Sequence, residues 1–113
     1  MIIKKNKWEI HNNWNNCEVL EYPEFSKNFG IAKANISGRY PEKWYCINHE
    51  CEQLFILQKW KIQIFTEDKG EVLEIWDAFY IDKNEKYYTE SNWCEVLIIN
   101  SPIWNPEQSE YLD

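Results

Sequence analysis

Short runs in which apolar and polar residues alternate recur along this chain. Residues 31–37 put Ala32, Ala34 and Ile36 on one side and Lys33 and Asn35 on the other. Residues 60–66 repeat the pattern with Trp60, Ile62 and Ile64. A period of two is that of a strand with one buried face, because successive side chains leave a pleated backbone on opposite sides. Residues 17–22, 43–48, 53–58, 71–76, 78–81, 86–90 and 93–100 read as further strands. Glu67-Asp68-Lys69-Gly70 is a turn of the kind that joins antiparallel strands, and the asparagine-rich stretch 12–16 reads as a loop. No segment carries a helical stripe with caps at both ends. Ser101-Pro102 closes the last strand, and the tail 103–113 reads as irregular, with at most one helical turn. Short strands at this spacing predict an all-β sandwich or barrel.

Length and composition narrow this to one domain with a substantial core. The chain has 113 residues, of which 44% are hydrophobic and 17% aromatic, including seven Trp and seven Tyr. A chain of this size buries enough surface to fold without disulfides or metal. Its net charge is −7, and Arg39 is its single arginine. Nucleic-acid binding needs a basic surface that displaces counterions from phosphate, and an acidic field repels polyanions and anionic lipid surfaces alike. No nucleic-acid or membrane partner is expected. The start of the chain, Met1 to Trp8, has charge but no apolar stretch after it, so it does not read as a signal peptide and a cytoplasmic location is expected.

Cys17, Cys46, Cys51 and Cys94 include no Cys-x-x-Cys pair. They read chiefly as buried thiols. Cys46-x-x-His49-x-Cys51 does crowd two thiols and an imidazole together. Use of Cys46 and His49 as nucleophile and base is disfavoured, since residues three apart on a strand face opposite ways. His11 carries no assigned role.

From residue 29 to about 110 the chain resembles the cupin superfamily. The resemblance begins at Gly38-Arg39-Tyr40-Pro41-Glu42-Lys43 and continues through Asn48-x-x-Cys51-x-Gln53-Leu54-Phe55-Ile56-Leu57. It resumes at Trp76-Asp77-Ala78-Phe79-Tyr80-Ile81 and Asn84-Glu85-Lys86-Tyr87-Tyr88, and ends with Ser101-Pro102-Ile103-Trp104-Asn105-Pro106-Glu107-Gln108, similar to a terminal signature of small single-domain cupins. It implies a small antiparallel jelly-roll β-barrel, in agreement with the strand pattern. Residues 1–113 then form a single domain, with an N-terminal extension over about 1–28 and the irregular tail at 103–113.

Metal-dependent cupins carry a His-x-His and a Glu in a first motif and a third His in a second. Position by position, that set falls here at Cys46 (or Trp44, counting from Gly38), Asn48, Gln53 and Tyr87. Positions 44, 46 and 48 share one strand face, and a slip of one residue would offer His49 in place of Asn48. Neutral amides are poor transition-metal ligands beside imidazole and carboxylate. The resemblance therefore implies a barrel without metal or other cofactor. Its ligand-binding residues would be Trp44, Cys46, Asn48, Gln53 and Tyr87, and its ligand a small neutral organic molecule, with a carbohydrate-like one as a candidate. Tyr45, Trp60, Trp76, Tyr88 and Trp104 are further candidates to line or cap the mouth. Trp60 and Trp76 lie near positions where cupins tend to have glycine, and Asn84 stands at another such position, where asparagine tolerates a positive φ. Two alternatives remain open. One is a metal-dependent isomerase or oxygenase with an unconventional Cys46/His49 ligand set. The other is a dimeric scaffold with a filled barrel. Whether the chain is an enzyme is left undecided, and pairing of two chains is expected from the resemblance.

Overall fold

The computed structural model describes all 113 residues. Ten strands form one curled antiparallel sheet. They are β1 (Glu9–Asn13), β2 (Cys17–Glu21), β3 (Gly30–Tyr40), β4 (Tyr45–Asn48), β5 (Glu52–Trp60), β6 (Ile62–Thr66), β7 (Gly70–Leu73), β8 (Ala78–Ile81), β9 (Tyr87–Ser101) and β10 (Ser109–Leu112). Two single-turn 3-10 segments stand at Lys5–Lys7 and Pro106–Gln108, and no helix is long and apolar enough to cross a membrane. The all-β jelly-roll expectation holds.

The segment read as an N-terminal extension supplies β1 and β2, which extend the sheet edge beside β3. Asn12 and Asn13, read as loop, belong to β1. The tail read as irregular contains a 3-10 turn and then β10, which pairs with β4. Its turn begins at Asn105, whose Oδ1 accepts the Gln108 N–H, with Pro106 at the first helical position. That short cap was not separable from loop by periodicity.

Strand β9 organises the barrel. One edge pairs with β3 and, through Tyr87 and Cys46, with β4. The other pairs with β6 over Tyr87–Glu90 and with β5 over Cys94–Ser101. The two runs read from sequence at 86–90 and 93–100 are thus one strand of 15 residues. A register shift against β3 occurs between Ile36 and Gly38, opposite Cys94 and Ser91. The extra residue in β9 reverses the alternation. Tyr87 and Thr89 are buried before the bulge, and Cys94, Val96 and Asn100 after it. Without that bulge, one half of the strand would turn its buried side chains to solvent.

Leu57, Ile62, Ile64 and Val96 are buried completely or nearly so and pack in one hydrophobic cluster with Ala34, Ile36 and Phe55. Arg39 ties the turn between β3 and β4. It donates from Nη1 to the Pro41 carbonyl at 2.8 Å and from Nη2 to the Trp44 carbonyl at 2.9 Å, and it lies over the Tyr88 ring at 4.0 Å.

Trp14, Trp44, Trp60 and Trp76 all adopt positive φ, at 60°, 69°, 68° and 74°, as does Asn84 at 65°. For a bulky side chain this region is sterically disfavoured. Trp76 is 72% exposed, so its ring contributes little burial to offset the strain. Replacing it with alanine should keep the strain, whereas glycine should release it. Left-handed strain of about 1–2 kcal/mol exceeds the ~0.4–1 kcal/mol by which glycine loosens the unfolded chain. Urea denaturation should therefore find Trp76→Gly more stable than Trp76→Ala by about 0.5–1 kcal/mol. Equal stabilities would show that the left-handed backbone costs nothing there.

Candidate functional site

A cavity of about 490 Å³ opens at one end of the barrel. The side chains of Leu57, Ile62, Ile64 and Val96 do not line it. The barrel is therefore plugged at one end only, and the filled-barrel scaffold does not describe this protein. The pleat aims Cys46 and Asn48 of β4, Gln53 and Phe55 of β5, and Tyr87, Thr89, Ile98 and Asn100 of β9 at this space. Four of the five residues expected in a site thus come together: Cys46, Asn48, Gln53 and Tyr87.

Trp44 does not join them. It sits in the turn before β4, in the left-handed region, 40% exposed, with the Lys43 ammonium over its ring at 4.4 Å. Alternation along β4 does not extend back through a left-handed residue, so parity with Cys46 is lost. Tyr45, Trp60, Trp76 and Tyr88 also lie off the cavity, and the aromatic lining consists of Tyr40, Phe55, Tyr87 and Trp104. The one-residue slip is excluded as well, because Asn48 is the buried residue and His49 is exposed.

The polar groups inside form one directed chain. Trp104 Nε1–H donates to Asn48 Oδ1 at 3.1 Å, and the Ser109 hydroxyl donates to the same oxygen at 2.7 Å. Asn48 Nδ2 donates to Gln53 Oε1 at 2.9 Å, and Gln53 Nε2 donates to Asn100 Oδ1 at 2.8 Å. An indole N–H can only donate. It therefore fixes Asn48 Oδ1 as the acceptor end, and each following amide is oriented in turn. The chain ends at Asn100 Nδ2, which has no protein partner although Asn100 is only 8% exposed and lines the cavity. Sequence reasoning missed Asn100 and Ser109. Asn100 stands on the far side of the bulge from Tyr87, and Ser109 lies in the tail read as irregular.

The remaining interior groups are neutral. Burial pushes the Cys17 thiol up to about 12, helped by the neighbouring Cys94 and Cys46. Burial also raises Cys46 to about 11 against the lowering effect of a hydrogen bond with Tyr87. Tyr40 and Tyr87 are pushed well above the ordinary phenol value by the same desolvation. These thiols and phenols are protonated at physiological pH and act as weak donors, not as nucleophiles or bases. At the mouth stand Glu9, His11 and Glu21, from the hairpin of β1 and β2.

A transition metal does not fit the four interior positions. The amide oxygens of Asn48 and Gln53 already accept hydrogen bonds, and Cys46 and Tyr87 hold their protons tightly. His49 cannot complete the set. Its Nδ1 is hydrogen-bonded with Asn84 Oδ1 at 2.8 Å and its Nε2 with Glu110 Oε2 at 2.6 Å, outside the barrel. No group of three or more His, Cys, Asp or Glu side chains is placed to hold a metal ion.

The architecture can now be set beside known proteins. No family model and no curated sequence matches the chain. Solved structures do match. A single-substitution variant of Streptomyces Pac13 with uridine superposes with a TM-score of 0.86 at 8% identity, covering 99% of this chain and 89% of that one. KdgF from a Halomonas species gives 0.75 at 11% identity, covering 95% and 96%. An RmlC-like cupin from Shewanella frigidimarina gives 0.70 at 14%, covering 86% of each. The chain has the cupin fold. At these identities the cupin likeness speaks for architecture alone.

His49 has a role that pH should reveal. Two acceptors, on Asn84 and Glu110, suit the doubly protonated ring, and they raise its pKa above the ordinary 6.5. The stabilisation is complete below the unfolded value and is lost as pH rises through the folded one. Wild-type protein should melt above His49→Gln below the ordinary imidazole pKa, with the gap narrowing as pH rises past it through the raised folded value. A gap independent of pH would show that protonation of His49 does not join β4, β10 and the Asp82–Glu85 turn.

Proposed function

We propose that the barrel binds a small, uncharged molecule carrying a ring and at least one carbonyl or hydroxyl oxygen, of the size of a nucleoside or monosaccharide. The unpartnered donor of Asn100, at the end of the directed amide chain, carries this reading. This donor is open to the cavity, and a ligand oxygen seated there would accept its hydrogen bond. The interior offers apolar walls from Val19, Ile36, Phe55 and Ile98, a few convergent polar groups and no charge, which is the usual make-up of a small-molecule site. An uncharged interior discriminates against anions and cations through the cost of desolvating them.

One of the solved likenesses supports this reading. Pac13 is a nucleoside dehydratase, and it was solved with uridine, a neutral ring-bearing molecule. Uridine is therefore the first probe, followed by neutral monosaccharides. Trp104, joined directly to the amide chain, supplies a fluorescence signal. Saturable quenching is expected, weakened about 10- to 100-fold by Asn100→Leu, the cost of losing one buried hydrogen bond to the ligand. Melting of the variant checks that it is folded. No binding of uridine or of neutral sugars by the wild type, or equal affinity in folded Asn100→Leu, would remove the reading.

Pairing of two chains belongs to this proposal too. Trp60 and Val72 are 61% and 58% exposed and border one open trough on the outer surface. A Trp and a Val exposed beside each other are apolar surface that pairing of two chains would cover. Sedimentation at micromolar concentration should give a dimer that Trp60→Glu converts to monomer. A wild-type monomer would overturn the pairing.

A further inference from the structure

The interior of the cavity holds no group suited to accept a proton near neutral pH, since its thiols and phenols are raised and its amides do not titrate. Carboxylates and imidazoles, the side chains that exchange protons in the physiological range, occur only at the mouth. Glu9 lies directly opposite Glu21 across the β1–β2 ladder, and His11 opposite Val19. Two carboxylates in directly opposed positions destabilise a ladder. His11 Nε2 stands between them, 3.6 Å from Glu21 Oε2 and 3.8 Å from Glu9 Oε2. Inside the same cavity, Asn100 holds out its free donor from a residue more than nine-tenths buried. A ligand seated on Asn100 is thus enclosed by neutral groups and meets titratable ones only at the hairpin.

We propose that this mouth is a proton-transfer site, with Glu21 as the catalytic base and His11 as the group that exchanges the proton with it, acting on a neutral carbon acid held by Asn100. The proposal rests on the binding reading above and extends it to a reaction class. The substrate bears a C–H bond acidified by a neighbouring carbonyl or an equivalent group. The Glu21 carboxylate forms an O–H bond as that C–H bond breaks. The electron pair moves onto the acidifying oxygen, where the Asn100 N–H is the kind of donor that stabilises it. Return of a proton to a different carbon from the Glu21–His11 pair completes an isomerisation. The balance needs no oxidant, reductant or metal.

Three neighbours set the basicity of Glu21. Its carboxyl is pushed up chiefly by burial, pulled down by His11 and pushed up by Glu9. A raised carboxylate is a stronger base at neutral pH. On the adjoining strand, β3, Ala32 lies opposite Glu21, and Lys33 pairs with Glu95. Across the mouth, Trp104, Pro106 and Ser109 are uncharged.

The test uses the full chain and 5-nitrobenzisoxazole, a neutral bicyclic probe whose ring opens when a base removes its one carbon-bound proton next to nitrogen. The C–H pair becomes part of the nitrile, and the N–O pair leaves as a coloured phenolate. Wild-type protein should open it faster than buffer, saturably, with a rate that rises with pH through the Glu21 titration. Glu21→Gln should lose about 100-fold or more, the usual contribution of a general base. Glu21→Asp should retain part of the rate, which keeps the test valid if the glutamine variant folds poorly. His11→Gln should move the acid limb to higher pH and Glu9→Gln to lower pH, shifts that a structural role for these residues would not produce. Glu18→Gln, an equal charge change at an exposed β2 position off the cavity, should leave the rate unchanged. Probe that binds, by Trp104 quenching, but opens no faster than in buffer would overturn this proposal and leave the binding reading standing. So would a Glu21→Gln rate equal to wild type. Failure to bind the probe, uridine and neutral sugars alike would overturn both.

Discussion

Strand β9 is hydrogen-bonded along both edges, and the placement of nearly every other element follows from it. A strand paired on one edge can slide, but one paired with β3 and β4 on one side and β5 and β6 on the other has its register fixed twice. The bulge between Ser91 and Cys94 is what lets one continuous strand serve two ends of the barrel. Toward its start it presents Tyr87 and Thr89 inward. Beyond the bulge it sends Val96 into the packed end and Ile98 and Asn100 to the cavity wall. Closure of the sheet also limits exposed edges to β1, β7, β8 and β10, all strands of four or five residues. Short edges are poor templates for unwanted pairing.

Within that frame, one donor-only group sets the polarity of the site. Had Asn48 been free to turn its amide over, the chain through Gln53 could have ended at Asn100 with an acceptor exposed. Trp104 and Ser109 together hold Asn48 Oδ1 as acceptor, and the orientation passes through two further amides to a donor at the far end. Both Trp104 and Ser109 come from the tail, and β10 is fastened to β4 by its ladder. Gln108 adds to the fastening, with its Oε1 accepting the Glu50 and Cys51 N–H groups at 3.1 and 2.8 Å. The last ten residues therefore set which hydrogen-bonding group the middle of the chain presents to the cavity.

The alternation of apolar positions made the β fold legible, and Cys46, Asn48, Gln53 and Tyr87 could be placed on one inner surface because strand parity is robust. Legibility failed where parity is interrupted. Trp44 was assigned inward by counting back through a residue that is left-handed, and Asn100 was missed because a bulge invisible in the pattern separates it from Tyr87. Glu9 and His11 were missed for a different reason. Their strand holds a single apolar residue, Ile10, so it carries no hydrophobic period, and its asparagines suggest a loop. Its position is set by pairing with β2, a tertiary constraint. Even so, Glu9, His11 and Asn13 are spaced two apart, which is the signal that would have grouped them once β1 was known.

The division of charge within the site follows from the same physics. A carboxylate placed deep in the barrel would need a partner to repay its desolvation, and the interior offers only amides, thiols and phenols. At the hairpin, Glu21 is partly buried while its ring partner, His11, stays in contact with water. That is the depth at which a carboxyl can be raised in pKa yet still ionise. A ligand entering the cavity would bury Glu21 further and exclude water from it, which strengthens both its basicity and its attraction to His11. On the proposed reading, binding and proton affinity at the mouth would be coupled by geometry. The neutral interior suits the uncharged ligand proposed above, and the arrival of such a ligand would change the groups at the rim.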